Sequence, residues 1–244
     1  MTLTGKKAVV TGGGTGIGLA IAKVLAMQGC RVAITGRREE VLNEACKSFG
    51  GICVKMDVAD EVSVVKGMQH IADQFGGIDI CVANAGIAEG QNIRNSNFEF
   101  WRKIMAINLD GAYLTIRESL RHMQMKEWGR IIAISSIAGV RGLKGAHAYS
   151  ASKHGVIGMI RSLSADHAKF PVTFNAICPA YVDTDIIAKN TASISERAQV
   201  THDEARAMMV NLNPHGRLIT SQEVASAALW MCSSGSGSFD GQAL

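Results

Sequence analysis

Three features of this chain have residue types and spacing suited to chemistry. The first is TGGGTGIG, Thr11 to Gly18, which puts five glycines among eight residues between the apolar run KAVV and the helically spaced LAIAKVLA. Bare main chain at a strand-to-helix turn lets a pyrophosphate reach backbone N–H groups and the positive end of a helix dipole, an approach that side chains would block. Gly12, Gly16 and Gly18 follow GxxxGxG spacing instead of the stricter GxGxxG, so the string alone also fits a simple tight turn.

The second feature lies at the end of the next apolar run. A doubly wound fold that binds NAD carries an acidic residue there for the ribose 2′-hydroxyl, about 20 residues beyond the glycines. This chain has Gly36, Arg37 and Arg38. A missing carboxylate beside two guanidiniums suits a 2′-phosphate, favouring NADP(H) with NAD(H) still possible. The same arginines would equally suit the solvated start of the helix REEVLNEA, paired with Glu39 or Glu40.

The third feature is a phenol one helical turn from a cation: Tyr149 with Lys153, and Tyr113 with Arg117. An ammonium about 4 Å from a phenolate is worth up to ~4 kcal/mol at an effective dielectric near 20, or at most ~3 pKa units. Such pairs also decorate solvated helices, so spacing alone does not choose between them.

These residues need a scaffold, and the hydrophobic pattern describes one. Apolar, Val- and Ile-rich runs begin at Lys6, Cys30, Gly51, Ile78, Gly129 and Val172, as expected of strands buried on both faces. Between them lie helically spaced positions such as Val62, Val65, Met68 and Ile71. The alternation predicts a single-domain α/β fold, Rossmann-like, with a doubly wound parallel sheet and helices on both faces. The whole chain of 244 residues, 47% hydrophobic, is expected to form one core.

Composition excludes several classes. A formal net charge of +4 with only short basic clusters offers no face for nucleic acid. No apolar run is long enough for a membrane span, and MTLTGKKAVV has no signal-peptide core, so a cytoplasmic location is expected. The six cysteines lack CxxC pairs or histidines at metal spacing, which predicts reduced thiols and no metal. No GxSxG elbow and no GxxxxGK[ST] string occurs, against a serine hydrolase or a P-loop NTPase.

Taken together, the chain resembles the short-chain dehydrogenase/reductase family over essentially its whole length. TGGGTGIG is similar to that family's TGxxxGxG, Asn84-Ala85-Gly86 to its NNAG-type motif, and Tyr149 to Lys153 (YSASK) to its YxxxK. The resemblance implies a catalytic tetrad of Asn108, Ser136, Tyr149 and Lys153, with Ser136 chosen over Ser135 by its thirteen-residue lead on the tyrosine. It implies coenzyme contacts from Gly12, Thr15, Gly16, Ile17, Gly18, Arg37, Arg38, Asp57, Val58, Asn84, Ala85, Gly86, Tyr149, Lys153, Pro179, Val182 and Thr184.

On this reading Tyr149 is the general acid/base for ketone–alcohol interconversion, made more acidic by Lys153. Ser136 donates to the substrate oxygen, and Asn108 holds a water beside Lys153 unless it simply bends its helix by bonding backbone. Asp57 takes the adenine amino group or caps the following helix, and Asn84 positions the ribose or a neighbouring strand. Tyr113–Arg117 is read as structural.

The substrate is expected to be a hydrophobic ketone or secondary alcohol, in contact with Ser136, His147, Tyr149 and Tyr181. Residues 186–216 form the expected lid, where Ile187, Met208, Met209 and Leu212 supply an apolar wall. A 3-oxoacyl reductase or 3-hydroxyacyl dehydrogenase, with Arg94 and Arg141 receiving an acidic or CoA-linked substrate, is the alternative, and a non-catalytic cofactor-sensing regulator is the rival outside enzymes. Family members are homotetramers or homodimers.

Two departures stand out. Pro179-Ala180 replaces the family's Pro-Gly, so a positive φ there would be strained. The chain also stops at GQAL, before the further strand and tail that relatives have, which suggests a truncated C-terminus.

Overall fold

A computed structural model describes residues 3–123 and 128–244. In chain order the strands and helices are β1 (Lys7–Thr11), α1 (Gly16–Met27), β2 (Arg31–Gly36), α2 (Glu39–Lys47), β3 (Ile52–Lys55), α3 (Glu61–Phe75), β4 (Ile80–Ala83), α4 (Phe98–Met105), α5 (Gly111–Arg121), β5 (Gly129–Ile134), α6 (His147–Asp166), β6 (Val172–Ile177), α7 (Asp185–Ala198), α8 (His202–Val210) and α9 (Ser221–Met231). All six strands are parallel, in the order β3-β2-β1-β4-β5-β6. This is the expected single-domain, doubly wound α/β architecture.

Strand β1 shows why these runs are so largely apolar. Ala8 and Val10 enter one core with α1, α2 and α9, while Val9 between them enters the other with α3, α5 and α6. A strand covered on both faces favours apolar residues at successive positions, and a polar one there needs a hydrogen-bond partner. Chain order reverses between β1 and β4, and the crevice at that switch point, beyond the carboxyl ends of the strands, is where such sheets bind ligands.

Local chemistry sets the helix ends. Asp60, not Asp57, caps α3 by accepting from the amides of Val62 and Ser63, and Gly76 closes that helix at φ 73°. Thr201 begins α8 and Thr220 begins α9, each in a reciprocal box with a glutamate three residues on, satisfying amides that the first turn would leave free. Among the described residues no helix is long and apolar enough to cross a membrane, and all six cysteines are free.

The Pro179-Ala180 departure resolves without strain. Gln199 (φ 54°), between α7 and α8, is the non-glycine residue with positive φ among those described, so Ala180 stands in ordinary backbone. The terminal GQAL runs beside β6: Ala176 donates to the carbonyl of Gln242 (2.8 Å), Leu244 donates back to Ala176 (3.0 Å), and Ala243 bridges Ala176 in parallel.

Candidate active site

Gly12, Gly13, Gly16 and Gly18 disfavour side chains, for reasons visible in the backbone and the packing. Gly12 (φ 63°) and Gly16 (φ 52°) lie in left-handed backbone, which side chains disfavour. A Cβ on Gly13 would stand 2.5 Å from Ile34, and one on Gly18 would strike the Gly12 carbonyl and lie 2.5 Å from Asn84 Nδ2. The loop is therefore pressed against β2 and β4 and turns directly into α1.

The start of α1 is electrostatically open. Thr15, its N-cap, makes no side-chain bond to the first-turn amides, and the first turn holds no acidic residue. Its amides and dipole face the switch-point crevice with no protein anion to neutralise them. Thr184, after β6, overhangs from the far side: a Cβ on Gly16 would meet its Cγ2 at 3.2 Å. A narrow, donor-lined cradle of this kind fits a dinucleotide pyrophosphate.

The crevice floor is a clamp whose key hydroxyl sequence reasoning did not single out. Thr11 Oγ1 accepts from the amides of both Asn84 and Ala85 (3.1 Å each), and Asn84 Nδ2 donates to the carbonyls of Thr11 (2.8 Å) and Gly12 (3.3 Å). Asn84 thus ties β4 to β1, the neighbouring-strand alternative. The threonine that opens TGGG was the available signal.

On the adenosine side, Arg37 and Arg38 are exposed, and among the described residues neither forms an ion pair; Glu39 is instead 4.0 Å from Lys55. The pairing with Glu39 or Glu40 is absent, leaving both guanidiniums free for a ligand. Asp57 Oδ1 accepts from the Ala59 amide (3.0 Å). Val58 is buried in the core against Gly111, where an added Cβ would lie 2.8 Å from it.

The proposed catalytic side chains converge beyond β4 and β5. A Cβ on Gly86 would lie 3.2 Å from Asn108 Oδ1 and 3.6 Å from Lys153 Nζ, so both polar groups point at this one glycine. Asn108, 1% exposed, sits in a wide π-turn, Ala106–Asp110, between α4 and α5. Its amide accepts from Ile87 N (2.8 Å) and donates to Ile87 O (2.9 Å) and Ser152 Oγ (3.2 Å). It does bond backbone, but that of the segment after β4 instead of its own helix.

Lys153 is 5% exposed and donates to the Ile134 carbonyl at 2.7 Å. Burial lowers its pKa from 10.5 to about 8, opposed by the nearby Cys178. Ser136 begins the turn after β5, its hydroxyl accepting from Ala138 N (3.1 Å), and it lies near enough to the Tyr149 phenol to lower that group's pKa. Ser135 is engaged elsewhere, donating to the Lys153 carbonyl (3.0 Å).

Here the structure corrects the expected acidity. Burial raises the Tyr149 pKa; Ser136 lowers it less, and Tyr181 adds to the rise. Lys153 Nζ stands 5.8 Å from the phenol ring centroid and is bonded to Ile134. Desolvation of the phenolate outweighs the ammonium when the cation is held elsewhere.

Tyr181 lies near enough to Arg141 for that cation to lower its pKa against the larger effect of burial. Its backbone is gripped at both ends by the Asn213 side chain (3.1 and 2.9 Å). His147 begins α6 with its Nε2 3.2 Å from Ser96 Oγ, committed to the segment before α4. Pro179 accepts from Ile137 N (2.9 Å), while Val182 is buried and bridges Ile219.

The 186–216 segment holds α8 and all but the first residue of α7, packed through Ile187, Met209 and Leu218 with Tyr181 alongside. Met208 (47% exposed) and Leu212 (52%) face solvent. Only half of the expected apolar wall is therefore internal. Tyr113–Arg117 is structural, as expected: Arg117 pairs with Glu61 (2.8 Å) and Glu118 (2.7 Å) and lies over the Tyr113 ring.

Comparison with known proteins agrees with this geometry. The family described as short chain dehydrogenase matches residues 6–195. The D-beta-hydroxybutyrate dehydrogenase of Rhizobium meliloti (strain 1021) is 34% identical, over 93% of this chain and 91% of that one. The 3-oxoacyl-acyl-carrier-protein reductase of Aquifex aeolicus (strain VF5) is 36% identical, over 95% and 91%. A variant of actinorhodin polyketide ketoreductase, solved with NADPH, superposes with a TM-score of 0.95 at 31% identity, over 100% and 97%.

The chain belongs to the short-chain dehydrogenase family. It is an oxidoreductase of the nicotinamide-dependent alcohol dehydrogenase and carbonyl reductase type.

Proposed function

We propose that this enzyme reduces an apolar small-molecule ketone to a secondary alcohol, reversibly, with NADP(H) preferred. The observation that carries the reading is the convergence of Asn108, Lys153 and the Ser136–Tyr149 pair at the crevice beside a donor-lined glycine turn. When bound, the dinucleotide supplies or accepts the hydride.

The chain's own residues then have distinct tasks. Gly12, Thr15, Gly16, Ile17 and Gly18 hold the pyrophosphate, and Arg37 with Arg38 pairs the 2′-phosphate. Asp57, Val58, Asn84, Ala85 and Gly86 shape the adenosine side; Pro179, Val182 and Thr184 frame the carboxamide side. Tyr149, kept protonated by burial, gives its proton to the oxygen as negative charge develops there, while the Ser136 hydroxyl donates to the same oxygen.

Lys153, with a pKa of about 8, releases a proton more readily than an exposed lysine, and Asn108 orients the water through which that proton is replaced. Because burial disfavours the phenolate, the alcohol-oxidising direction needs higher pH than ketone reduction. Tyr181, His147 and the 186–216 lid bound the substrate. Free cysteines suit a reducing cytoplasm, and the helices bearing Asn108 and Tyr149 carry the contacts of a homodimer or homotetramer.

A second reading, 3-oxoacyl or 3-hydroxyacyl substrates, is favoured by the exposed Arg141 beside Tyr181 and by the two relatives named above. Incubating the enzyme with NADPH and a panel of ketones and 3-oxoacyl thioesters, while following nicotinamide absorbance, tests both. Tyr149→Phe is expected to bind NADPH normally and lose at least about 100-fold in turnover. Residual turnover above a tenth would remove Tyr149 as the acid, and tight NADPH binding without consumption of any substrate would indicate a regulator.

A further inference from the structure

Two thiols far from the tetrad lie on adjoining elements at the open edge of the sheet. Cys46 is in the last turn of α2 and Cys53 is the second residue of β3, the edge strand. Cys53 Sγ donates to Asn43 Oδ1 at 2.8 Å. Asn43 and Cys46 are one turn apart on α2 and share a face, so Cys46 flanks the side chain that Cys53 Sγ reaches, near enough for Cys53 to raise the Cys46 pKa. Both belong to the same apolar cluster, with Cys46 8% exposed and Cys53 half-buried.

We infer that Cys46 and Cys53 form a redox-responsive pair that closes into a disulfide by exchange with small-molecule disulfides. Cys53, the more accessible thiol, gives up its proton and attacks one sulfur of the small disulfide, expelling one thiolate and leaving a mixed disulfide on Cys53. Cys46 then loses its proton and attacks Cys53 Sγ, expelling the second thiolate. The protein loses two protons and two electrons; the small disulfide gains both and leaves as two thiols.

Order of attack follows from burial. Burial and the neighbouring Cys53 push the Cys46 thiol up to about 12, so Cys46 is the poorer initiator. Capping that sulfur removes the smaller contribution of Cys53 and leaves burial, so the second step is the slower one. A disulfide needs Cα atoms within about 7 Å, and this pair lies on adjacent elements, Cys53 bonded to Asn43 and Cys46 one turn beyond Asn43 on α2.

The other cysteines are placed differently. Cys232 is buried and senses Cys30 only through charge, while Cys30 donates to the Leu3 carbonyl at 3.6 Å.

The test is a peptide map of the full-length enzyme treated with oxidised glutathione, alkylated with iodoacetamide and cut with trypsin. Lys47 lies between the two cysteines, so residues 39–47 and 48–55 separate as different peptides. The expected result is a species joining them, lighter than their sum by two hydrogens, with four of the six cysteines alkylated and full reversal by dithiothreitol. Cys46→Ser should stop at one glutathione on Cys53, and Cys53→Ser should leave Cys46 alkylated only. Six alkylated cysteines after oxidation, or a linkage between Cys30 and Cys232 in place of this one, overturns the inference; the wild-type map decides even if a variant folds poorly.

Discussion

Lys153 makes the stability of the coenzyme-free enzyme depend on pH in an unusual direction. Its pKa falls from 10.5 to about 8 on folding, chiefly through burial. Between those values the unfolded chain binds more protons than the folded one, so stability rises with pH. A shift of this size corresponds to a deficit of ~3 kcal/mol near neutrality, and integrating the two titrations returns ~1.3 kcal/mol of it between about pH 7 and pH 9.

Lys153→Met removes this titration and fills similar volume. The unpaired Ile134 carbonyl it leaves costs ~1–3 kcal/mol, but equally at both pH values. The measurement is urea unfolding without coenzyme, at one protein concentration. Relative to Lys153→Met, the wild-type midpoint should move up by ~0.4 M between the two pH values if m is about 3 kcal/mol/M. Parallel pH curves for the two proteins would refute the claim that a charged lysine is held in this core.

Arg37→Asp should reverse the dinucleotide preference, weakening NADPH relative to NADH by at least about tenfold in kcat/KM; wild type working better with NADH would defeat the 2′-phosphate assignment. Gly18→Ala should cost more than ~2 kcal/mol in thermal or urea unfolding, because the added methyl meets the Gly12 carbonyl and the Asn84 amide, and core backbone yields little. Asp60→Ala should cost ~1 kcal/mol, whereas Asp57→Ala should leave the cap of α3 intact, a contrast read in the same unfolding assay.

Much of the fold was legible because burial on two faces favours apolar residues at successive positions, so stretches such as AVV in β1 and IIAI in β5 stand out. The glycine turn was legible for a similar reason, since Gly13 and Gly18 face atoms that exclude any side chain. What escaped reading depends on three-dimensional partners. Asp57 and Asp60 both precede α3, and only the backbone angles decide which one caps it. Met208 and Met209 are adjacent, yet helix phase buries one and exposes the other.

The Tyr149–Lys153 spacing was visible, but its electrostatic consequence was not. The Ile134 carbonyl that holds the ammonium belongs to a different element, strand β5, and burial of the phenol comes from the whole crevice. The Thr11 hydroxyl was likewise hidden, because its two partners lie 73 and 74 residues away in sequence.

The wide turn at Ala106–Asp110 has a consequence for how this protein tolerates length changes. A regular helix assigns every residue a direction by counting, about 100° per step. One wide turn absorbs an extra residue, so the count carried along α4 no longer fixes where the side chains of α5 face. Removing a single amino acid there would tighten the turn and rotate one helix against the other, turning the carboxamide of Asn108 away from Ile87 while every strand stayed where it was.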